Sequence, residues 1–260
     1  MIRALRALAP ALLGILVLAG WEAIVRQLDV PPFILPGPVA IAEAAVTDWP
    51  VLWPSLLVTL KVAVLALLAA VTLGGLLAIL FAQSEWVERA LFPYAVILQV
   101  TPIVAIAPFI LIWVNDVTLS LLICAWIVAF FPILSNTVLG LNSADRNLAD
   151  LFRLYGATRW QALLLLRIPS ALPFFLAGLR VAGGLALIGA VVAEFVAGAG
   201  GTGSGLAFRI LEASYQLRIP RMFAALALVS AAGIAIFALL GAFQHLLLRH
   251  WHESAARPDA

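Results

Sequence analysis

Gly198-Ala199-Gly200-Gly201-Thr202-Gly203 satisfies G-x-G-x-x-G letter for letter, the spacing that brings backbone N–H groups onto a pyrophosphate. That chemistry needs a strand before the glycines and a βαβ unit around them. Here they follow a long apolar run, so the stretch reads as a flexible turn. ATP hydrolysis through a P-loop needs G-x4-G-K-S/T, with the lysine reaching the phosphates. The only lysine, Lys61, lies in VTLKVAV without those glycines and is expected to snorkel at the end of a span. His245, His250 and His252 crowd the C-terminus, but they read as an ordinary basic tail rather than a metal shell. Serine and histidine never approach a triad. No catalytic residue, metal or cofactor is expected, and any ATPase must be a separate subunit.

The residues that could still do chemistry are charges inside apolar runs, where an ionised group near a bilayer centre costs roughly 2.5–3.5 kcal/mol. Arg180 lies six residues past Phe174, about 9 Å deep and within snorkelling range of the nearer surface. Glu194 lies near the far end of the same run, about 21 Å from Arg180, so the two cannot pair. Between them Gly178, Ala182, Ala186 and Ala190 form a small-residue stripe that ends at Glu194. Such a stripe lets helices approach closely, so this span is expected to be central, packed on other spans or on a second copy. Two readings of Glu194 stand: it borders a translocation pathway, with Arg180 as a further candidate, or it is a headgroup-level residue bonded to neighbouring backbone. Glu22 offers a weaker version of the same choice.

These charges are held by a chain of 260 residues that is 65% hydrophobic and 11% charged, with mean hydropathy +1.13. Soluble domains are roughly 45–50% apolar, so this composition specifies a membrane protein. A net charge of +2 gives no footing for nucleic acid, and the single cysteine, Cys124, excludes an intrachain disulfide. Six runs approach the ~20 apolar residues that a ~30 Å hydrocarbon layer requires, at 8–25, 56–82, 94–114, 118–140, 174–197 and 222–248. Backbone groups in lipid must be satisfied within their own segment, and runs of this length without alternation are helices rather than barrel strands. The predicted fold class is all-α, a polytopic membrane protein with six transmembrane helices in one domain over 1–260.

The stretch from Leu8 to Val25 is long for the apolar core of a signal peptide. Trp21 and Glu22 stand where a small-x-small cleavage site belongs, so an uncleaved first span is expected. With the N-terminus inside, Arg3, Arg6, Arg89, Arg146, Arg153, Arg159, Arg167, Arg249 and Arg257 face the cytoplasm. Arg26, Lys61, Arg209, Arg218 and Arg221 face outward, and nine against five favours cytoplasmic termini. Pro31, Pro32, Pro36 and Pro38 predict an extended outer strap, with Pro38 opening a short helix that ends near Asp48. Pro102 and Pro108 in the third span and Pro132 in the fourth should kink their helices.

Residues 141–173 are far more than a connection between two spans requires. Ser143 or Asp145 can cap a helix running to Tyr155, and Gly156 supplies the left-handed residue that ends it. Thr158 and Gln161 form a capping box for a second helix, which Pro169 is expected to terminate. Leu151, Phe152 and Tyr155 beside Asp150 and Arg153 make an apolar knob rimmed by charge. Such a knob either docks a cytosolic partner or lies on lipid headgroups.

The order Asp150-Leu151-Phe152, three residues, Gly156, nine residues, Leu166-Arg167-Ile168-Pro169 resembles the EAA signature, E-A-A-x3-G-x9-I-x-L-P, of permease subunits of binding-protein-dependent ABC importers. Only the acid survives of E-A-A, while the glycine and the apolar-x-apolar-proline end keep register. PPFILPGP, QVTPIVAIAPFILIWV, FFPILSNTVLG, YGATRWQ and VVAEFVAG are similar to stretches of the branch that imports nitrate, sulfonates, taurine, bicarbonate and pyrimidine-type vitamin precursors. The resemblance implies a type I importer permease of the bacterial inner membrane. It implies 141–173 as the coupling hairpin, with Asp150, Leu151, Phe152, Arg153, Tyr155, Gly156, Ala157, Ile168 and Pro169 at the ATPase contact. It also implies as partners two ATPase subunits, a periplasmic or lipid-anchored binding protein and a second permease copy. The solute would be a small organic or inorganic anion or a vitamin precursor. The rival is an ion-gradient-driven secondary transporter, whose inverted repeats and midplane ionisable sites on broken helices are not evident.

Overall fold

The computed structural model describes residues 2–198 and 203–249, with side chains from residue 9 onward. Among these residues there are helices and no strands. The chain divides into two compact units, one of residues 1–58 and 200–230 and the other of 59–199 and 231–260.

The first unit holds α1 (Ile2–Gln27), α2 (Pro38–Thr47), the opening turns of α3 (Trp49–Gln83), α10 (Leu206–Tyr215) and the first part of α11 (Ile219–Leu248). The short helix opens at Pro38 and is capped at Asp48, as expected. Its N-cap, Gly37, has no side chain to offer. The carboxylate of Glu22 supplies the cap instead, accepting from Val39 N at 3.1 Å and from Arg26 Nε at 2.6 Å. A Cβ on Gly37 would lie 2.5 Å from that carboxylate, so glycine is the residue that leaves room for it. Glu22 therefore anchors the proline strap to α1.

α10 is a helix that the sequence signals did not single out. Leu206, Ala207 and Ala213 bury one side of it, while Arg209 donates to Ser55 Oγ at 3.0 Å and pairs with Glu212 at 2.9 Å. Arg221 pairs with Asp48 at 3.5 Å. Two of the arginines that weaken the charge asymmetry are thus bound to acids within this unit.

The second unit holds the rest of α3 and α11 together with α4 (Glu85–Val100), α5 (Ile103–Val114), α6 (Val117–Leu141), α7 (Arg146–Leu154), α8 (Arg159–Ala162) and α9 (Ile168–Ala197). Its centre is the pairing of α6 with α9. Ala182, Ala186 and Ala190 of the predicted stripe are buried, and a Cβ on Gly178 would sit 2.7 Å from the Pro132 carbonyl. Likewise a Cβ on Gly189 would sit 2.8 Å from Ala125 Cα. Gly178 of the stripe and the nearby Gly189 thus pack on α6.

Among the described residues five helices are long and apolar enough to cross a membrane. The expected third span, 94–114, differs: α4 and α5 meet at 100°, and the pair gives a sixth crossing when counted as one. Pro102 has no N–H for the preceding turn and pushes Thr101 into extended backbone, at φ −70° and ψ 122°. Thr101 closes the end of α4 on Ile97 O, donating from N at 3.0 Å and from Oγ1 at 2.7 Å. Pro108 and Pro132 stay inside unbroken helices.

Pro169 also departs from expectation. It does not end the second arm of the hairpin, because residues Arg159–Ala197 form one continuous 39-residue helix. A proline interior to a helix loses one hydrogen bond and its ring collides with the carbonyl four residues back. Here a single π-helical turn, Leu163–Arg167, widens the spiral just before it, with Ile168 N bonded five residues back to Leu163 O. The fifth span therefore begins at the hairpin itself, well before residue 174.

Candidate functional site

The hairpin is built from its caps. Asp145 Oδ1 accepts from Asn147 N at 2.7 Å and Leu148 N at 3.4 Å, which fixes the start of α7. The end is a Schellman turn: Ala157 N reaches Phe152 O at 2.9 Å and Gly156 N reaches Arg153 O at 3.0 Å. Gly156 stands at φ +71°, a conformation that carries little penalty only in glycine. Thr158 and Gln161 then close both halves of the capping box, at 3.2 and 2.8 Å. Between two helical arms only Tyr155, Gly156, Ala157 and Thr158 are non-helical, and each is held.

α7 presents Leu148, Leu151, Phe152 and Tyr155, spaced i, i+3, i+4, i+7, as one apolar stripe. Leu148, Leu151 and Tyr155 are 47%, 45% and 83% exposed. The Asp150–Arg153 pair at its edge is 3.3 Å apart and solvated, so it shapes the rim and adds little stability. A notch of about 380 Å³ lies beside the stripe, lined by Phe152, Tyr155, Gly156, Gln161 and Leu165. A polar cleft of about 650 Å³ separates the hairpin from the α3–α4 corner, with Glu85 and Glu88 on one wall and Arg153, Arg159 and Arg167 on the other. Arg167 crosses to the corner, donating to Ala82 O at 2.8 Å.

Asp150 through Ala157 therefore come together as one surface. Ile168 and Pro169 do not join it, since they lie beyond the π-helical turn and line neither hollow. Leu148 was missed by the sequence reading, although the helical spacing with Leu151, Phe152 and Tyr155 signals it.

Glu194 is 3% exposed and accepts a hydrogen bond from Thr59 Oγ1 of α3 at 3.1 Å. It is a buried group within the second unit. Thr59 escaped the sequence reading; its signal was a hydroxyl one turn after Ser55 in an otherwise apolar run. Arg180 does not meet Glu194. Its guanidinium lies 3.8 Å from the ring centroid of Phe237 on α11 and packs on Gly241, with Nε buried and making no hydrogen bond. The contact with Phe237 is a cation–π interaction. Ala199, Gly200, Gly201 and Thr202 of the glycine run, and His250 and His252, lie outside the described residues. Among the described residues no cluster of metal-ligating side chains occurs.

Residues 70–251 match the family model described as "Binding-protein-dependent transport system inner membrane component". The chain belongs to this family. It is 34% identical to the formylaminopyrimidine transport permease protein ThiX of Halalkalibacterium halodurans, over 95% of this chain and 97% of that one. It is also 34% identical to the riboflavin transport system permease protein RibX of Chloroflexus aurantiacus, over 92% and 88%. The solved structure of an amino acid ABC transporter superposes with TM-score 0.63 at 20% identity, over 76% of this chain and 95% of that one, and establishes the fold. Together with ThiX, similar permeases named for aliphatic sulfonates, taurine and nitrate mark the branch that the motifs resemble. The permease is thus the multi-pass inner-membrane subunit of an ATP-driven importer, a transport component rather than an enzyme.

Proposed function

We propose that this permease works as one of two identical copies, each bound through its hairpin to an ATPase subunit in the cytoplasm, with a binding protein delivering solute at the opposite face. Both termini lie in the cytoplasm, in keeping with the excess of arginine on the hairpin side. The observation that carries this reading is the hairpin: a helix capped at both ends, with an exposed apolar stripe, continuous through α8 with a membrane span. A rigid-body push on such an element moves the span, whereas a loose loop would absorb it. Asp150, Leu151, Phe152, Arg153, Tyr155, Gly156 and Ala157 form the ATPase contact, and Ile168 and Pro169 set the join to the span. Glu194 borders the pathway with Arg180 further along the same helix. The solute is a heterocyclic vitamin or vitamin precursor, a reading supported by the names of two permeases that are 34% identical over more than nine-tenths of the chain, for formylaminopyrimidine and riboflavin.

Proteoliposomes holding the permease and its ATPase, given binding protein and radiolabelled formylaminopyrimidine or riboflavin, test this. Uptake that requires both ATP and the binding protein is the expected result. Uptake driven by an ion gradient without ATP would overturn it.

A further inference from the structure

The polar cleft between the hairpin and the α3–α4 corner, about 650 Å³, lies within the second unit. Gln83, Asn142 and Arg159 line it, and they stand where three of the apolar spans stop or start: Trp49–Gln83, Val117–Leu141 and Arg159–Ala197. Helices that cross a bilayer end at the depth of the lipid headgroups. Trp86 and Trp160, next in sequence to the lining residues Glu85 and Arg159, are both exposed, as tryptophans at a membrane–water interface are. The cleft therefore sits at headgroup depth.

Its charges are of both signs and are sorted by wall. Glu85 pairs with Arg89, Arg153 pairs with Asp150, and Arg167 spends one N–H on Ala82 O. Glu88 and Arg159, on opposite walls, form no ion pair or side-chain hydrogen bond among the described residues. A ligand of one sign would be repelled by one wall, whereas opposite charges held apart across a gap match a ligand that carries both.

We infer that the cleft binds the headgroup of a zwitterionic aminophospholipid, phosphatidylethanolamine, from the leaflet on the hairpin's side. Arg159 and the remaining N–H groups of Arg167 hold the phosphate, which a guanidinium contacts in bidentate fashion. Glu88 accepts from the ammonium, whose N–H groups a choline lacks. Phosphatidylglycerol brings no cation for the acidic wall. A second hollow of about 550 Å³ shares Glu85, Glu88 and Asn142 with the cleft and is walled by Phe92 and Pro93 of α4, which gives an acyl chain an apolar path. Held by both walls, the headgroup braces the hairpin against the α3–α4 corner.

The complete transporter, permease with its ATPase, is titrated in detergent with dioleoyl phosphatidylethanolamine, phosphatidylcholine or phosphatidylglycerol, and retained lipid is read by native mass spectrometry. Phosphatidylethanolamine is expected to bind with a Kd at least fivefold below that of either other lipid. Arg159→Gln and Glu88→Gln are each expected to erase that preference while melting as the parent does. Equal retention of the three lipids by the parent overturns the inference, as does parental preference in both variants. Tighter retention of phosphatidylglycerol overturns it too, by assigning the cleft to its arginines alone. Soluble phosphoethanolamine bound as tightly as the lipid would assign the cleft to a solute and overturn the membrane source. None of these readouts depends on transport, so uptake without ATP would unseat the functional reading and leave this one standing.

Discussion

Arg167 donates from Nη1 to the carbonyl of Ala82 at 2.8 Å, joining residues 85 apart in sequence. Ala82 lies in the last turn of α3, where carbonyls lack partners within the helix and the dipole is negative, so a cation suits the site. The bond fastens the second arm of the hairpin to a neighbouring span. A hydrogen bond to a charged group is worth about 1.5–3 kcal/mol. Arg167→Ala is expected to leave ATP hydrolysis running while solute moved per ATP falls at least fivefold, measured together in proteoliposomes. An unchanged ratio would make the bond dispensable for coupling.

Gly156 sits at φ +71° with nothing within 4 Å of the position a Cβ would take, so a substitution there is opposed by backbone conformation and not by crowding. A β-branched residue in this region is an outlier costing roughly 1–2 kcal/mol or more. Gly156→Val is expected to abolish uptake and its coupling to hydrolysis, with normal amounts of protein in the membrane fraction. Asp150→Lys, which reverses the rim charge, is expected to do the same. Normal uptake by both variants would separate the hairpin from transport.

The Thr59–Glu194 hydrogen bond gives two separable readouts. Thr59→Val removes a donor to a buried carboxylate and is expected to lower the melting temperature. Glu194→Ala is expected to cut uptake at least tenfold in protein that still elutes as a folded species. Full uptake by Glu194→Ala would leave that carboxylate a purely structural role.

Gly178 and Gly184 make an internal control on the central helix. A Cβ on Gly178 falls 2.7 Å from Pro132 O and 2.8 Å from Asn136 Cβ, whereas on Gly184 it meets nothing within 4 Å. Overpacking costs typically 1–3 kcal/mol, and an alanine in open helix gains about 0.5–1 kcal/mol over glycine. Gly178→Leu is expected to remove most of the folded protein in size-exclusion runs, and Gly184→Ala to melt no lower than the parent.

Much of this arrangement was legible because it is written in local signals. Pro38, Gly156 and the Thr158–Gln161 box act within a few residues of themselves, so the strap helix and the hairpin caps follow from spacing alone. The small-residue stripe foretold a central α9, though its spacing does not name α6 as the helix that Gly178 meets. What escaped depends on elements distant in the chain. Glu22 caps a helix 16 residues away, Arg209 secures α10 through Ser55, and Thr59 meets a carboxylate 135 residues later. Prolines were misread in both directions. Pro102 broke a helix expected only to bend, because its neighbour's backbone turned extended, while Pro169 was absorbed by one widened turn.

The helix that absorbs Pro169 runs for 39 residues, about 58 Å, nearly twice the thickness of a bilayer core. It starts beside the capped turn and stops three residues after Glu194. Such a rod behaves as a crowbar: a tilt of about 5° carries its far tip roughly 5 Å, from the rise of 1.5 Å per residue. The π-helical turn, Leu163–Arg167, lies between the capped turn and the rest of the rod, so a displacement entering at the hairpin would reach the far end through that widened coil.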